Sequence, residues 1–209
     1  VESIDDFTLS EYTEWSLQAI VDSEINKSNG MIVMQNFIHP VLYTRCIDNW
    51  PTEMDTIDVE GRYQKDMFCN TVFATLFQKI FDDEYIKCAI ADKFGLHEEY
   101  KTDCWLWQDT EKFTVNDVHV DYKDFDITFG LYMPQDNSLT NYGTQFWSPD
   151  CEADIEVSLV REDCTLIKQL PFQHNVCYIM PRSKYSWHSS PILDKPMKRN
   201  HVYGYYKTV

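Results

Sequence analysis

The 209-residue sequence has no CxxC pair, no internal repeat and no low-complexity segment, and no apolar run approaches the about 18 residues of a membrane span. Its seven cysteines, Cys46, Cys69, Cys88, Cys104, Cys151, Cys164 and Cys177, are odd in number and never closer than 13 residues. Paired-thiol zinc and dithiol redox motifs are thereby excluded, and free thiols are expected. Basic residues are scarce as well. The 18 Lys and Arg stand against 34 Asp and Glu, a formal charge of -16 that repels a phosphate backbone or an anionic membrane surface. General nucleic-acid binding and a membrane partner are therefore not expected. Val1 to Asp6 lack the positive charge and apolar run of a signal peptide, and with free thiols this points to a reducing cytoplasm.

Apolar and aromatic residues are plentiful: 44% hydrophobic and 15% aromatic in a chain of 24.8 kDa, enough for one substantial core. One domain over 1–209 is predicted. Periodicity near 3.6 predicts a helix over 10–28, a second from His39-Pro40 to Trp50, and two more over 69–82 and 84–94. The run MIVMQNFI after Asn29-Gly30 reads as a strand, and Pro51 to Lys65 as polar and irregular. From Lys101 onward short aromatic and β-branched runs replace the helices. Strands are predicted near 102–109, 117–121, 126–133, 144–147, 155–160, 164–170, 175–180, 186–191 and 200–206. The layout is α+β, mainly β, with a helical buttress over about 10–95 packed on one sheet of a β sandwich over about 101–206.

The segment NDVHVDYKDFD sets His119 and Asp121 two residues apart in an extended run. Alternate side chains on a strand share a face, so an imidazole and a carboxylate emerge side by side, able to meet one ion. A lone HxD also occurs at a polar strand end with one solvated imidazole. His188, in the strand-like YSWHSSPI, supplies a third donor; His174 and His201 compete for that role. Two imidazoles and one carboxylate on one side of an ion leave three adjacent positions open, which suits six-coordinate iron(II) better than four-coordinate, redox-inert zinc. Arg199, in KRNHVYGYY, offers a planar fork for a carboxylate, or is a surface arginine beside Lys198.

The sequence HVD (119–121), then His188, then Arg199 resembles the 2-oxoglutarate and iron(II)-dependent dioxygenases, in a prolyl-hydroxylase-like pattern of HxD, a distal His and a following Arg. MIVMQNFIHPVLYTRCIDNW (31–50), GLYMP (130–134) and YGTQFWSP (142–149) resemble further stretches of that superfamily. The resemblance implies a double-stranded β-helix, or jelly roll, with iron(II) held by His119, Asp121 and His188. It implies 2-oxoglutarate as co-substrate with its far carboxylate on Arg199, O2 as oxidant, succinate and CO2 as co-products, and ascorbate as a supporting reductant. Asp121 stands where related halogenating enzymes carry a small residue, so hydroxylation is implied. His201 stands where many relatives carry Ser or Thr, and Tyr132 is a candidate to replace or supplement that contact to 2-oxoglutarate. The substrate implied is a small molecule or a peptide side chain, chosen by loops at Pro51–Lys65, Thr110–Asn116 and Gln135–Tyr142. Trp105, Trp107, Tyr122, Phe146 and Trp187 either wall that substrate or pack the core. The alternatives are a non-catalytic, cupin-like jelly roll that binds metal to sense or bind, and a cupin-like zinc or manganese enzyme such as an isomerase.

Overall fold

The structure, a computed structural model, describes residues 9–96, 99–115, 117–136 and 140–209. Four α-helices lie in the first part of the chain: α1 (Leu9–Asp22), α2 (Pro40–Asp48), α3 (Thr71–Leu76) and α4 (Glu84–Phe94). Helix α1 ends six residues short of its apolar periodicity. The Ser23 hydroxyl and amide both turn back to the Ile20 carbonyl, an alternative to continuing the ladder. Helix α2 starts with Pro40 in its first turn, and His39 Nδ1 accepts from the Val41 amide at 3.3 Å. The Asn70 side chain caps α3, which runs on into a π-helical turn over Phe77–Phe81. Asp83 caps α4, and Gly95, at φ 70°, closes it in the left-handed conformation that glycine adopts without strain.

The strands are β1 (Ile32–Met34), β2 (Asp55–Thr56), β3 (Arg62–Asp66), β4 (Tyr100–Thr110), β5 (Ile127–Tyr132), β6 (Gln145–Pro149), β7 (Cys164–Gln169), β8 (Cys177–Pro181), β9 (His188–Ser189) and β10 (Lys198–Thr208). They form a seven-stranded sheet in the order β1-β8-β5-β10-β4-β3-β2 and a three-stranded sheet in the order β7-β6-β9, with antiparallel neighbours throughout. Pro51–Lys65, predicted irregular, contributes β2 and most of β3. Those strands are polar and only partly buried, so they carry no apolar alternation to reveal them. Conversely, the predicted strands 117–121 and 155–160 reduce to isolated bridges, Val118 with Leu159 and His119 with His188.

Side-chain alternation divides the large sheet into two working faces. Leu106, Ile127, Phe129, Leu131, Ile179, Val202 and Tyr206 join Tyr12, Leu42, Phe73, Ile80, Phe81 and Ile90 of the helical part in one core, so the helices cover one face of this sheet. Phe81 stacks on Phe129 with ring centroids 4.5 Å apart at 3°. On the opposite face, Tyr132, Tyr178 and Met180 pack with Phe146 of the small sheet and with Phe172 and Val176. A third cluster of Val118, Val120, Trp147, Cys164 and Trp187 supports the small sheet. Among the described residues no helix is long and apolar enough to cross a membrane.

Candidate metal centre

The run from Asp117 to Asp121 is pinned by its own alternation. Val118 and Val120 enter the third apolar cluster, which obliges His119 and Asp121 to project the other way. The Val118 amide donates to the Leu159 carbonyl at 2.9 Å and receives the reciprocal bond at 2.8 Å. His119 and His188 exchange backbone hydrogen bonds in the same manner, at 3.0 and 2.9 Å. One ligand atom from each of His119, Asp121 and His188 then lies within 4.8 Å of the others. His188 Nε2 is 3.7 Å and His119 Nε2 4.0 Å from Asp121 Oδ1.

Both imidazoles are oriented by the carbonyl two residues back. His119 Nδ1 meets the Asp117 carbonyl and His188 Nδ1 the Ser186 carbonyl, each at 2.9 Å. With Nδ1–H donating, each Nε2 presents its lone pair toward Asp121, the arrangement that a metal-ligating imidazole requires. Burial, which outweighs the attraction of Asp121, holds the His188 pKa below its ordinary value and so favours the neutral ring. The Asp121 carboxylate is braced by the Thr128 hydroxyl, which donates to Oδ2 at 2.6 Å, and Tyr203 Oη lies 3.5 Å from Oδ1. Arg182 donates through Nε to the Asp121 carbonyl at 2.9 Å and pairs with Glu156 at 2.6 Å. The donor set of two nitrogens and one oxygen suits a first-row divalent ion.

The cluster opens on a cavity of about 540 Å³ that is also lined by Arg199 and His201. In the sheet register Asp109 of β4 stands opposite Arg62 of β3 on one side and Arg199 of β10 on the other. Arg62 clasps Asp109 with two bonds, Nε to Oδ1 at 2.6 Å and Nη2 to Oδ2 at 3.0 Å, while Arg199 reaches it through Nη2 alone at 3.0 Å. Asp109 is fully buried, and Arg62 and Arg199 together bring its pKa down to about 2 against the opposing effect of burial. Arg199 Nε and Nη1 are buried with no hydrogen-bond partner among the described residues. Two arginines and one carboxylate leave one positive charge at this end of the cavity.

His201 adds none. Burial first, then repulsion by Arg199, lowers its pKa from 6.5 to about 3. A base whose folded pKa is depressed imposes no penalty above its unfolded value, and its stability contribution is lost as pH falls toward the folded value. Wild type is expected to lose stability between pH 6.5 and pH 3, by no more than about 5 kcal/mol from this residue. Urea unfolding at stepped pH checks this: His201→Gln should show a shallower decline than wild type, and an equal slope would remove His201 as the cause.

Of the predicted site residues, His119, Asp121, His188, Arg199 and His201 all line the cavity, as does the exposed Asp117. Tyr132 stands behind it: its hydroxyl donates to Thr144 Oγ1 at 2.9 Å and accepts from the Thr144 amide at 2.7 Å, and Thr144 is the residue that faces the cavity. His174 packs against Tyr43 and His39 caps α2, both apart from the cluster. Trp105, Trp107 and Tyr122 belong to the cavity wall, whereas Phe146 and Trp187 are core. The wall draws on Arg62, Gln64, Phe113 and Val115 of the first two predicted loop segments. No described residue of 135–142 takes part, and Ile155 to Ser158 do so instead; Asn116 and residues 137–139 lie outside the described residues. Arg62, Asp109 and Tyr203 escaped the sequence reading. Asp109 and Tyr203 carried a signal in period-two spacing, Trp105-Trp107-Asp109 on β4 and Arg199-His201-Tyr203-Tyr205 on β10, whereas Arg62 carried none.

No protein-family model matches the sequence, and no curated protein matches it. The fold does match solved structures. A prolyl-4-hydroxylase of Pseudomonas putida superposes with a TM-score of 0.61 at 12% identity, covering 93% of this chain and 99% of that one. HygX from Streptomyces hygroscopicus, solved with nickel, 2-oxoglutarate and hygromycin B bound, gives 0.60 at 12% identity, over 87% and 84%. A Trichoplax adhaerens prolyl hydroxylase in complex with a hypoxia inducible factor peptide fragment gives 0.55 at 13% identity, over 100% and 94%. The chain thus shares its fold with these hydroxylases and with a 2-oxoglutarate-binding protein.

Proposed function

We propose that the chain is a 2-oxoglutarate-dependent iron(II) oxygenase that hydroxylates a small molecule or an amino-acid side chain, its two sheets a double-stranded β-helix and residues 1–209 one catalytic unit. The observation that carries the reading is a pairing across one cavity: a His119, Asp121, His188 cluster at one place and the buried, half-unsatisfied Arg199 fork at another. Two neutral imidazoles and a carboxylate leave a divalent ion with one net positive charge. The Arg62–Asp109–Arg199 group leaves another. A ligand carrying a carboxylate at each end meets both, and 2-oxoglutarate is such a dianion. The fold-sharing HygX structure with 2-oxoglutarate and nickel bound supports the same assignment.

In this reading His119, Asp121 and His188 hold the ion. Arg199 pairs with the far carboxylate through Nε and Nη1, and Thr128 and Tyr203 keep Asp121 aimed. Bound iron(II) supplies the activation of O2, coupled to conversion of 2-oxoglutarate to succinate and CO2. The apolar and aromatic wall, Trp105, Trp107, Tyr203 and Tyr205, excludes water, with Trp107 and Tyr203 stacked on each other and Tyr205 on Phe125.

Purified protein with iron(II) and ascorbate should release succinate from 2-oxoglutarate only when O2 is present. A metal-binding, non-catalytic protein is the rival, favoured by the contact of Asp109 with Arg199, which already engages one end of the fork. Absence of succinate, with and without candidate substrates, would decide for the rival.

A further inference from the structure

Arg62 is the cavity residue whose placement the metal site does not explain. Its guanidinium is sandwiched between Trp107, 4.1 Å below the charge, and Phe113, 3.9 Å above it, so its orientation is fixed before any ligand arrives. In that orientation it donates one bond to each oxygen of Asp109, while Arg199 is left with a single-ended contact to Oδ2. Ser190 Oγ lies 3.4 Å from Arg62 Nη2 and 3.3 Å from Arg199 Nη2, a hydroxyl that both share.

We propose that Arg62 is a specificity-determining positioning residue: by matching the charge of Asp109 with its own fork, it keeps Arg199 open to the carboxylate of an incoming ligand. The inference rests on the reading that Arg199 receives the far carboxylate of 2-oxoglutarate. The physical reason is competition for one anion. A buried carboxylate facing a lone arginine forms a paired fork with it, and the pair is then electrically closed. Asp109 lies in register with both arginines, so removing Arg62 hands the whole of its charge to Arg199. Arg62 and Asp109 thus set the net charge of the subsite at one, enough to prefer a 2-oxo diacid over a 2-oxo monoacid.

The signs of the predicted effects differ between variants, which separates this role from simple support of the fold. The probes are 2-oxoglutarate and 2-oxobutyrate, the same 2-oxo acid without the far carboxylate, titrated calorimetrically into the full chain loaded with Mn(II). Arg62→Met should weaken 2-oxoglutarate binding about tenfold or more and leave 2-oxobutyrate within about threefold, since close buried charges couple by more than a tenfold factor. Asp109→Asn, which removes the competing anion, should bind 2-oxoglutarate at least as tightly as wild type. The double variant R62M/D109N, which leaves Arg199 alone with its charge and strands no buried carboxylate, should return to within about threefold of wild type.

A double variant as weak as R62M would overturn the proposal, because Arg62 would then act by touching the ligand or by packing. Wild-type affinity in R62M would overturn it equally. If wild type itself binds 2-oxobutyrate as tightly as 2-oxoglutarate, the reading of Arg199 as a carboxylate site fails first. Near-UV circular dichroism on each variant identifies a folding defect, and the double variant keeps the comparison decisive if R62M does not fold.

Discussion

Replacing Asp121 by alanine is expected to abolish metal-dependent turnover and to lower metal affinity by at least about 10²-fold, since even supporting residues around a ligand are worth 10 to 100-fold. Asp121 is the only carboxylate of the cluster, and its two oxygens are divided between functions: Oδ2 accepts from Thr128 while Oδ1 faces both imidazoles. Alanine removes the anion and leaves two neutral rings, too few donors and no charge to hold a divalent ion tightly. Asp121→Asn, which keeps the volume and the Thr128 contact but removes the charge, should bind metal weakly. Metal content after dialysis against a mild chelator, with the melting temperature measured alongside, is the readout. An alanine variant that retains one equivalent of metal and releases succinate would refute the ligand assignment.

Arg199→Ala is expected to raise the KM for 2-oxoglutarate on the order of 10²-fold with a smaller change in kcat, within the range seen when one partner of a buried charge pair is truncated. The fold should tolerate it better than most buried arginine substitutions. Asp109 keeps its two bonds to Arg62, so no carboxylate is stranded. Arg199→Lys retains a charge but not the fork, and an intermediate KM is expected because an ammonium cannot present two coplanar donors. An unchanged KM in both variants would mean that the unpaired Nε and Nη1 serve something other than the co-substrate.

The residues that proved legible in sequence share a property: their relationship is local or is carried by chemistry that few side chains supply. His119 and Asp121 lie on one face because a strand alternates, whatever its partner, and the structure places them so although only His119 and Val118 make bridges. The reading of helices first and strands afterwards held for the layering, with the helices on one face of the large sheet. It failed for β3, whose five residues are all polar or partly buried at the cavity edge, so no hydrophobic period marks them.

Arg62 and Asp109 were hidden for a related reason. They meet only through the register of two strands 47 residues apart, and nothing within either segment announces the other. Tyr132, a candidate contact to 2-oxoglutarate by its position after the HxD motif, has its hydroxyl engaged on both the donor and acceptor sides by Thr144, brought in from the approach to β6.

The reciprocal backbone bonds between His119 and His188 carry one last consequence. They fasten two distant stretches of chain at the residues proposed to hold the ion, so the gap between the imidazoles is set by main chain. Loading and stripping should therefore be a matter of side-chain solvation, fast and reversible, instead of a refolding event. On that proposal, a protein made this way keeps its backbone arrangement while its metal is exchanged.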